Sequence, residues 1–520
     1  MSVKPDARVI MVQGTASHVG KSVLTAAFCR IFAQDGLSVA PFKAQNMSLN
    51  SFVTLDGGEI GRAQAVQAEA ARVRPTVEMN PILLKPEGER RSQVVVLGKV
   101  ATSETATGYY AMKSKLWPVV ADALDHLRRE YDVVVIEGAG SPAEINLKQH
   151  EIVNMRVAVH AGAPVLLVGD IERGGVFAAL VGTMALLEPG EAALVKAFVI
   201  NKFRGDPSLL DSGLAMLSER TGVPVAGVLP YFTDIAIPEE DSLALDDGKG
   251  RWDRSARVED GRGVVDVAVV RLPRIANFDD FDPLGREPSV RLRYVAEAKE
   301  LGRPDLIIIP GSKSTMADLA WLRERGLADA IVAARRDGAA VMGICGGFQM
   351  LGRWVRDPRG VESSVPEAAG LGLLPVDTIF EAEKATHQVE ARVVNATGLL
   401  KECAGLTLTG YEIHMGRTEA TGPGSPFRIV RRSGRSVRAS DGWTDPEGRT
   451  LGTYLHGLFH NEALRRGILR QLARGKGVAY EPAASTEDPD REYDKLADFV
   501  REHLDMGLIY RLVGLEGRRG

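Results

Sequence analysis

The chain has 520 residues, too many for one ordinary hydrophobic core, so two or three domains are expected. Apolar residues make up 45% and charged residues 25%, and the formal net charge is -4, a balance that gives no sign of a nucleic-acid or membrane-surface binder. Cys29, Cys345 and Cys403 are too few and too far apart for a disulfide framework or a zinc site. The polar opening residues and the lack of any apolar run of spanning length predict a cytoplasmic enzyme or ATPase.

The first segment alternates strand and helix signals. Short apolar runs at 9–12, 38–42, 132–136, 164–169, 197–200 and 223–228 read as strands, with helical stretches at 22–34, 61–72, 115–130 and 174–187 between them. This pattern predicts an α/β fold with a mainly parallel sheet covered on both faces, whose ligands gather at the carboxyl ends of the strands.

The first strand runs into Gly14-Thr15-Ala16-Ser17-His18-Val19-Gly20-Lys21-Ser22, close to a phosphate-binding P-loop. Backbone N–H groups around Gly14, Thr15 and Gly20 would wrap a phosphate, Lys21 would neutralise it, and the Ser22 hydroxyl could ligate magnesium. The first glycine stands one residue early for the strict spacing, and a chance glycine turn is the competing reading; its place after the first strand favours phosphate. Partitioning-type ATPases carry an extra lysine where Thr15 and Ala16 stand, which argues against them.

Lys43-Ala44-Gln45-Asn46-Met47-Ser48 follows the second strand. A solvated loop would look the same, but its position beside the P-loop makes Lys43, Asn46 and Ser48 candidates for substrate contact. Glu137 ends a strand before Gly138-Ala139-Gly140 and is the candidate carboxylate for the nucleotide's metal. Arg173, before Gly174-Gly175, could meet a phosphate or a substrate carboxylate, with an ordinary surface ion pair as the alternative. Asn201, in Asn201-Lys202-Phe203-Arg204, is the candidate contact to the nucleotide base.

Residues 233–263 are rich in Asp, Glu, Gly and Arg and lack apolar periodicity, so a linker is expected there, after a P-loop domain over 1–232. A second α/β domain is expected over 264–484, with strands at 264–272, 290–296 and 305–310 and a helix-like stretch at 316–336. A C-terminal helix at 493–504 and a short tail complete the segment 485–520.

The second domain carries Gly343-Ile344-Cys345-Gly346-Gly347-Phe348-Gln349-Met350-Leu351-Gly352. An apolar strand, a G-x-C-x-G turn and a helix whose apolar pattern reaches Trp354 make a thiol version of the nucleophile elbow. A buried inert cysteine is the competing reading, and glycines on both sides of Cys345 make it the weaker one. The N–H of Gly346, and another from Gly311 in the loop Gly311-Ser312-Lys313-Ser314-Thr315, could hold an oxyanion. Beyond strand-like stretches at 387–394, 406–414 and 427–431, His456 at a strand end is the candidate base for Cys345, with His460 and His414 as fallbacks.

With these motifs in hand, the chain resembles the cobyric acid synthase family, glutamine-dependent amidotransferases of cobalamin biosynthesis, over essentially its full length. The resemblance rests on the P-loop, the Phe-Lys-Ala-Gln-Asn-Met-Ser loop, segment 144–155, the Arg-Gly-Gly-Val-Phe stretch, the 310–315 loop, the cysteine elbow, segment 410–418 and the Tyr-Leu-His-Gly-Leu-Phe run at 454–459. It implies a dethiobiotin-synthetase-like P-loop domain joined to a class I glutamine amidotransferase domain. It further implies ATP and magnesium, four amidations of adenosylcobyrinic acid a,c-diamide at its b, d, e and g carboxylates, and ammonia drawn from glutamine at Cys345. The partners implied are small molecules, with neither nucleic acid nor membrane, and a homo-oligomer is compatible with it.

One departure stands out. Many amidotransferase domains place Glu two residues after the histidine, and here that position is Leu458, so the carboxylate that orients His456 is either missing or supplied from elsewhere. Two rivals stay open at this level: a ligase of the same architecture acting on a cell-wall precursor or another corrinoid, and a partner-regulating P-loop ATPase.

Overall fold

The computed structural model describes residues 6–87, 91–232, 237, 264–420, 424–483 and 489–516. It divides into two compact units, one of residues 1–48, 60–240 and 487–520 and the other of residues 49–59 and 241–486. Residues 49–59, expected within the P-loop domain, fall in the second unit, and the segment expected as a separate C-terminal helix and tail groups with the first. The expected linker falls outside the described residues, Ile237 excepted.

The first unit is built on six strands in the order Val225–Pro230, Val195–Phe203, Val165–Asp170, Arg8–Gly14, Val133–Glu137 and Val39–Phe42, all parallel. Strands covered on both faces read as unbroken apolar runs, as in Val133-Val134-Val135-Ile136, every residue of which is buried. Helix Lys21–Gln34 lies on one face and is itself covered by the C-terminal helices Pro489–His503 and Met506–Val513, the latter standing where a tail was expected. Arg30 is fully buried in that layer and pairs with Asp494 at 2.6 Å and Asp490 at 2.8 Å. The helix expected from 115 begins at Ala106, and Thr105 caps it by accepting from the N–H of Gly108. A small sheet of Gln45–Met47, Ile82–Pro86, Arg91–Val96 and Lys99–Thr105 was not expected; its strands are short and only half apolar.

The second unit has its own sheet, in the order Val290–Val295, Val265–Val270, Leu306–Ile309, Ala340–Ile344, Thr450–Thr453 and Trp443–Thr444, parallel except for the last pair. The stretch expected as one helix is two, Thr315–Glu324 and Leu327–Arg336, broken where Gly326 adopts φ 66°. The helix after the elbow stops at Leu351, and Trp354 opens the strand Trp354–Arg356 instead of extending the helix. That strand joins a second sheet dominated by the antiparallel pair Val376–Val393 and Thr407–Ala420.

Candidate functional site

The thiol of the second unit stands on a strained turn. Strand Ala340–Ile344 ends at Cys345, whose φ of 52° and ψ of -109° lie outside the regions a side chain ordinarily adopts, and helix Gly346–Leu351 starts directly after it. Close approach explains the neighbouring glycines. A Cβ on Gly347 would lie 1.9 Å from the Ile309 carbonyl oxygen, and one on Gly346 would lie 2.9 Å from the Ser312 nitrogen. The two loops expected to supply oxyanion donors are thus in contact. A Cβ on Gly311 would meet His456 Cε1 at 3.0 Å, so the 311 loop also borders the histidine. The other two thiols are buried away from any elbow, and burial pushes Cys403 up to about 11.

His456 follows strand Thr450–Thr453, the direct neighbour of the cysteine strand. Its Nδ1 lies 2.7 Å from Asp280 Oδ2, and the other oxygen of Asp280 accepts the Gly457 N–H at 2.8 Å. Both side chains are buried. With Nδ1 set toward Asp280, Nε2 has no hydrogen-bond partner among the described residues, and the Cys345 sulfur is the group whose charge reaches the ring. Burial opposes the charged ring, but the Asp280 carboxylate and the neighbouring Cys345 sulfur outweigh it and hold the His456 pKa above the ordinary histidine range. The imidazole also stacks on Tyr411, with ring centroids 5.1 Å apart.

Asp280 therefore supplies the carboxylate that Leu458 could not. It sits in the short turn Phe278–Phe281, which is held from an unexpected direction: the Phe278 N–H donates to Asn50 Oδ1 at 3.2 Å, and the Ser51 N–H donates to Asn277 Oδ1 at 2.9 Å. Val53 packs with Tyr411 and Ile413. Residues 49–59 thus brace both the carboxylate and the ring stacked on the histidine. The fallback His414 has no carboxylate hydrogen-bond partner among the described residues; its Nδ1 bonds the Gly416 carbonyl, and burial pushes its pKa down to about 4. His460 is exposed. Gln349, four residues beyond the cysteine, is buried between Thr315 Oγ1 at 2.9 Å and the Tyr454 hydroxyl at 3.3 Å, adding a polar wall the sequence did not single out.

The first unit brings most of its expected groups to one end of the sheet. Lys21 Nζ donates to the carbonyls of Ala16 and Gly140 at 2.9 and 3.1 Å. Ser22 Oγ donates to Glu137 Oε1 at 2.9 Å, and Lys43 Nζ reaches the same oxygen at 2.9 Å. Gln67, absent from the expected set, donates to the other Glu137 oxygen at 2.5 Å. A hydroxyl and a single carboxylate beside a P-loop lysine suit magnesium, which keeps water and phosphate oxygens for its remaining positions. Among the described residues no group of three or more His, Cys, Asp or Glu side chains could form a protein-only metal cage.

The remaining candidates have more local roles. Asn46 Nδ2 donates to Gln64 Oε1 at 3.0 Å, and the Ser48 N–H extends the small sheet toward Leu84. Thr15 is tied through its N–H to the Val168 carbonyl. Asn201, expected at the base, donates from Nδ2 to the Val19 carbonyl at 2.8 Å and accepts from the Lys202 N–H, so its amide braces the back of the P-loop. Arg173 is exposed on the turn before helix Val176–Leu186 and forms no ion pair among the described residues. Asn154 grips Ala139 through both its N–H and its carbonyl, fixing the glycine loop after Glu137. Among the described residues no helix is long and apolar enough to cross a membrane.

Comparison with known proteins agrees with this division. Residues 10–244 match the CobQ/CobB/MinD/ParA nucleotide binding domain, and residues 266–464 match the CobB/CobQ-like glutamine amidotransferase domain. A protein named cobyric acid synthase from Sorangium cellulosum (strain So ce56) is 56% identical over 527 residues, covering 98% of this chain and 100% of that protein. One of the same name from Dehalococcoides mccartyi (strain CBDB1) is 52% identical over 513 residues, covering 99% and 100%. Another, from Pelotomaculum thermopropionicum (strain DSM 13744 / JCM 10971 / SI), is 52% identical over 524 residues, covering 99% and 98%.

Proposed function

The chain belongs to the cobyric acid synthase family, and from that premise we propose that it amidates the b, d, e and g carboxylates of adenosylcobyrinic acid a,c-diamide in the cytoplasm, using ATP and glutamine. The observation that carries this reading is the end-to-end likeness to relatives of that name in a chain that holds a Cys345–His456–Asp280 array and a P-loop.

At the thiol, Cys345 sulfur attacks the side-chain amide carbon of glutamine, and the oxyanion is held by the N–H groups of Gly346 and Gly311. His456, oriented by Asp280, passes the thiol proton to the departing nitrogen, and ammonia leaves as a glutamyl thioester forms. The same ring then takes a proton from water, whose oxygen attacks the thioester carbon and releases glutamate and the thiol. At the P-loop, Lys21 and Lys43 offset the charge that accumulates as the γ-phosphoryl group moves from ATP to a substrate carboxylate. When bound, magnesium neutralises phosphate oxygens, with Ser22 and Glu137 as the groups that would hold it. Ammonia attacks the acyl phosphate carbon, phosphate departs, and the amide remains.

The test follows corrinoid mass and phosphate release with ATP, magnesium and glutamine. Four successive amidations are expected. Cys345→Ala should lower glutamine-supported turnover by about 10⁴-fold or more while ammonia still supports it. An unchanged corrinoid, with a different acid stimulating phosphate release, would move the chain to another substrate.

A further inference from the structure

Helix Ala106–Glu130 carries Tyr110, Lys113 and Trp117 at a spacing that puts them along one face. Each aromatic ring on this strip holds a cation. Lys113 Nζ lies 4.7 Å from the Tyr110 ring centre, and the Arg156 guanidinium lies 4.2 Å from that of Trp117. Lys113 is only 8% exposed, yet among the described residues neither it nor the Arg156 side chain forms an ion pair or a hydrogen bond. Burying an ammonium without a carboxylate is costly, and ring faces offset only part of that cost. Glu151, the carboxylate whose field reaches Lys113, already accepts the N–H groups of Val153, Asn154 and Arg156.

The strip is tied to both loops of the phosphate site. The neighbouring Tyr109 hydroxyl donates to Gln45 Oε1 at 2.5 Å, at the start of the strand Gln45–Met47, two residues after Lys43. Arg156 stands two residues beyond Asn154, which grips Ala139, next to the Gly140 carbonyl that Lys21 touches. A ligand with one carboxylate at Lys21 and a broad body would extend over this strip.

We propose that Lys113 and Arg156, set on Tyr110 and Trp117, bind peripheral carboxylates of the acid that is amidated, while the rings take its apolar body. This rests on the reading that the substrate is a polycarboxylic corrinoid. Successive amidation converts the anions these cations prefer into neutral amides, so the strip favours the less amidated substrate over the finished product.

The test uses the full chain with Lys113→Met, Arg156→Gln, the double variant and Lys113→Arg. Each neutral variant should raise the KM for the corrinoid acid about tenfold, as loss of one charge-assisted contact does. The double variant should raise it further, and Lys113→Arg should restore most of the loss. KM for ATP and unstimulated glutamine hydrolysis should stay within about twofold, as expected for groups outside both centres. A corrinoid KM unchanged in a double variant that melts like the parent overturns the strip alone. An equal rise in the ATP KM overturns it too, by assigning the cations to the nucleotide. A parent enzyme that leaves the corrinoid unamidated overturns the functional reading, and the strip's ligand with it.

Discussion

The two units use buried charge in opposite ways. Around Cys345 the charges form a short chain with an open end: Asp280 is matched to His456 Nδ1, and Nε2 is left for the sulfur. Around the P-loop the charges close on one another. Glu137 gathers Ser22, Lys43 and Gln67, and Lys21 rests on two backbone carbonyls. The difference suits the chemistry proposed for each centre. A thiol nucleophile needs its proton acceptor in place beforehand, because misplacing it by an ångström is costly in rate. A phosphate site meets a ligand that brings several negative charges of its own, and cations held by exchangeable contacts can turn to it.

The largest effect is expected from Lys21→Met, which should cut ATP-dependent amidation about 10³-fold while unstimulated glutamine hydrolysis continues; assaying the two reactions separately decides it. Loss of both would mean that the centres are not separable.

Asp280→Asn should lower glutamine hydrolysis by about 10²–10³-fold and reshape its pH profile. The carboxylate holds the His456 pKa up, so its removal lets the ring lose its proton at lower pH, and the alkaline limb of kcat/KM should move down. Because the folded pKa is raised, the pair stabilises the fold fully below pH about 6.5, and that contribution fades as the pH climbs through the raised value. A profile that keeps its alkaline limb would deny Asp280 its role.

The smallest effect concerns framework instead of chemistry. Asp494→Ala leaves the fully buried Arg30 with Asp490 as its remaining carboxylate, and a loss of about 2 kcal/mol is expected in the first unit. Denaturant unfolding followed beside the glutaminase assay tests this, since glutamine hydrolysis should survive conditions that melt the first unit.

Both candidate centres were legible in the chain as motifs because each is local. A strand, a glycine turn and a helix start specify the P-loop and the elbow within about ten residues, and the strands around them announce themselves as unbroken apolar runs. Asp280 was not legible. It lies 176 positions before His456, in a turn whose acidic residues look like ordinary solvated ones, and the pattern that would have placed a carboxylate near the histidine fails at the buried Leu458. Gln67 reaches Glu137 across 70 positions on a helix with no sign of a site. Residues 49–59 gave no signal either, since nothing in a short polar stretch says which unit it will join.

The fold class, the cysteine elbow, the candidate histidine and the phosphate loop could all be read from the chain, because these depend on side-chain periodicity and on turns only glycine can make. Only the tertiary structure shows which carboxylate meets the histidine, which groups share Glu137, that Asn201 braces the P-loop, and that Lys113 and Arg156 stand on neighbouring rings with no ion pair among the described residues. Those outcomes depend on burial. A carboxylate or an ammonium acquires its meaning from what surrounds it once water is removed, and elements far apart in the chain supply those surroundings.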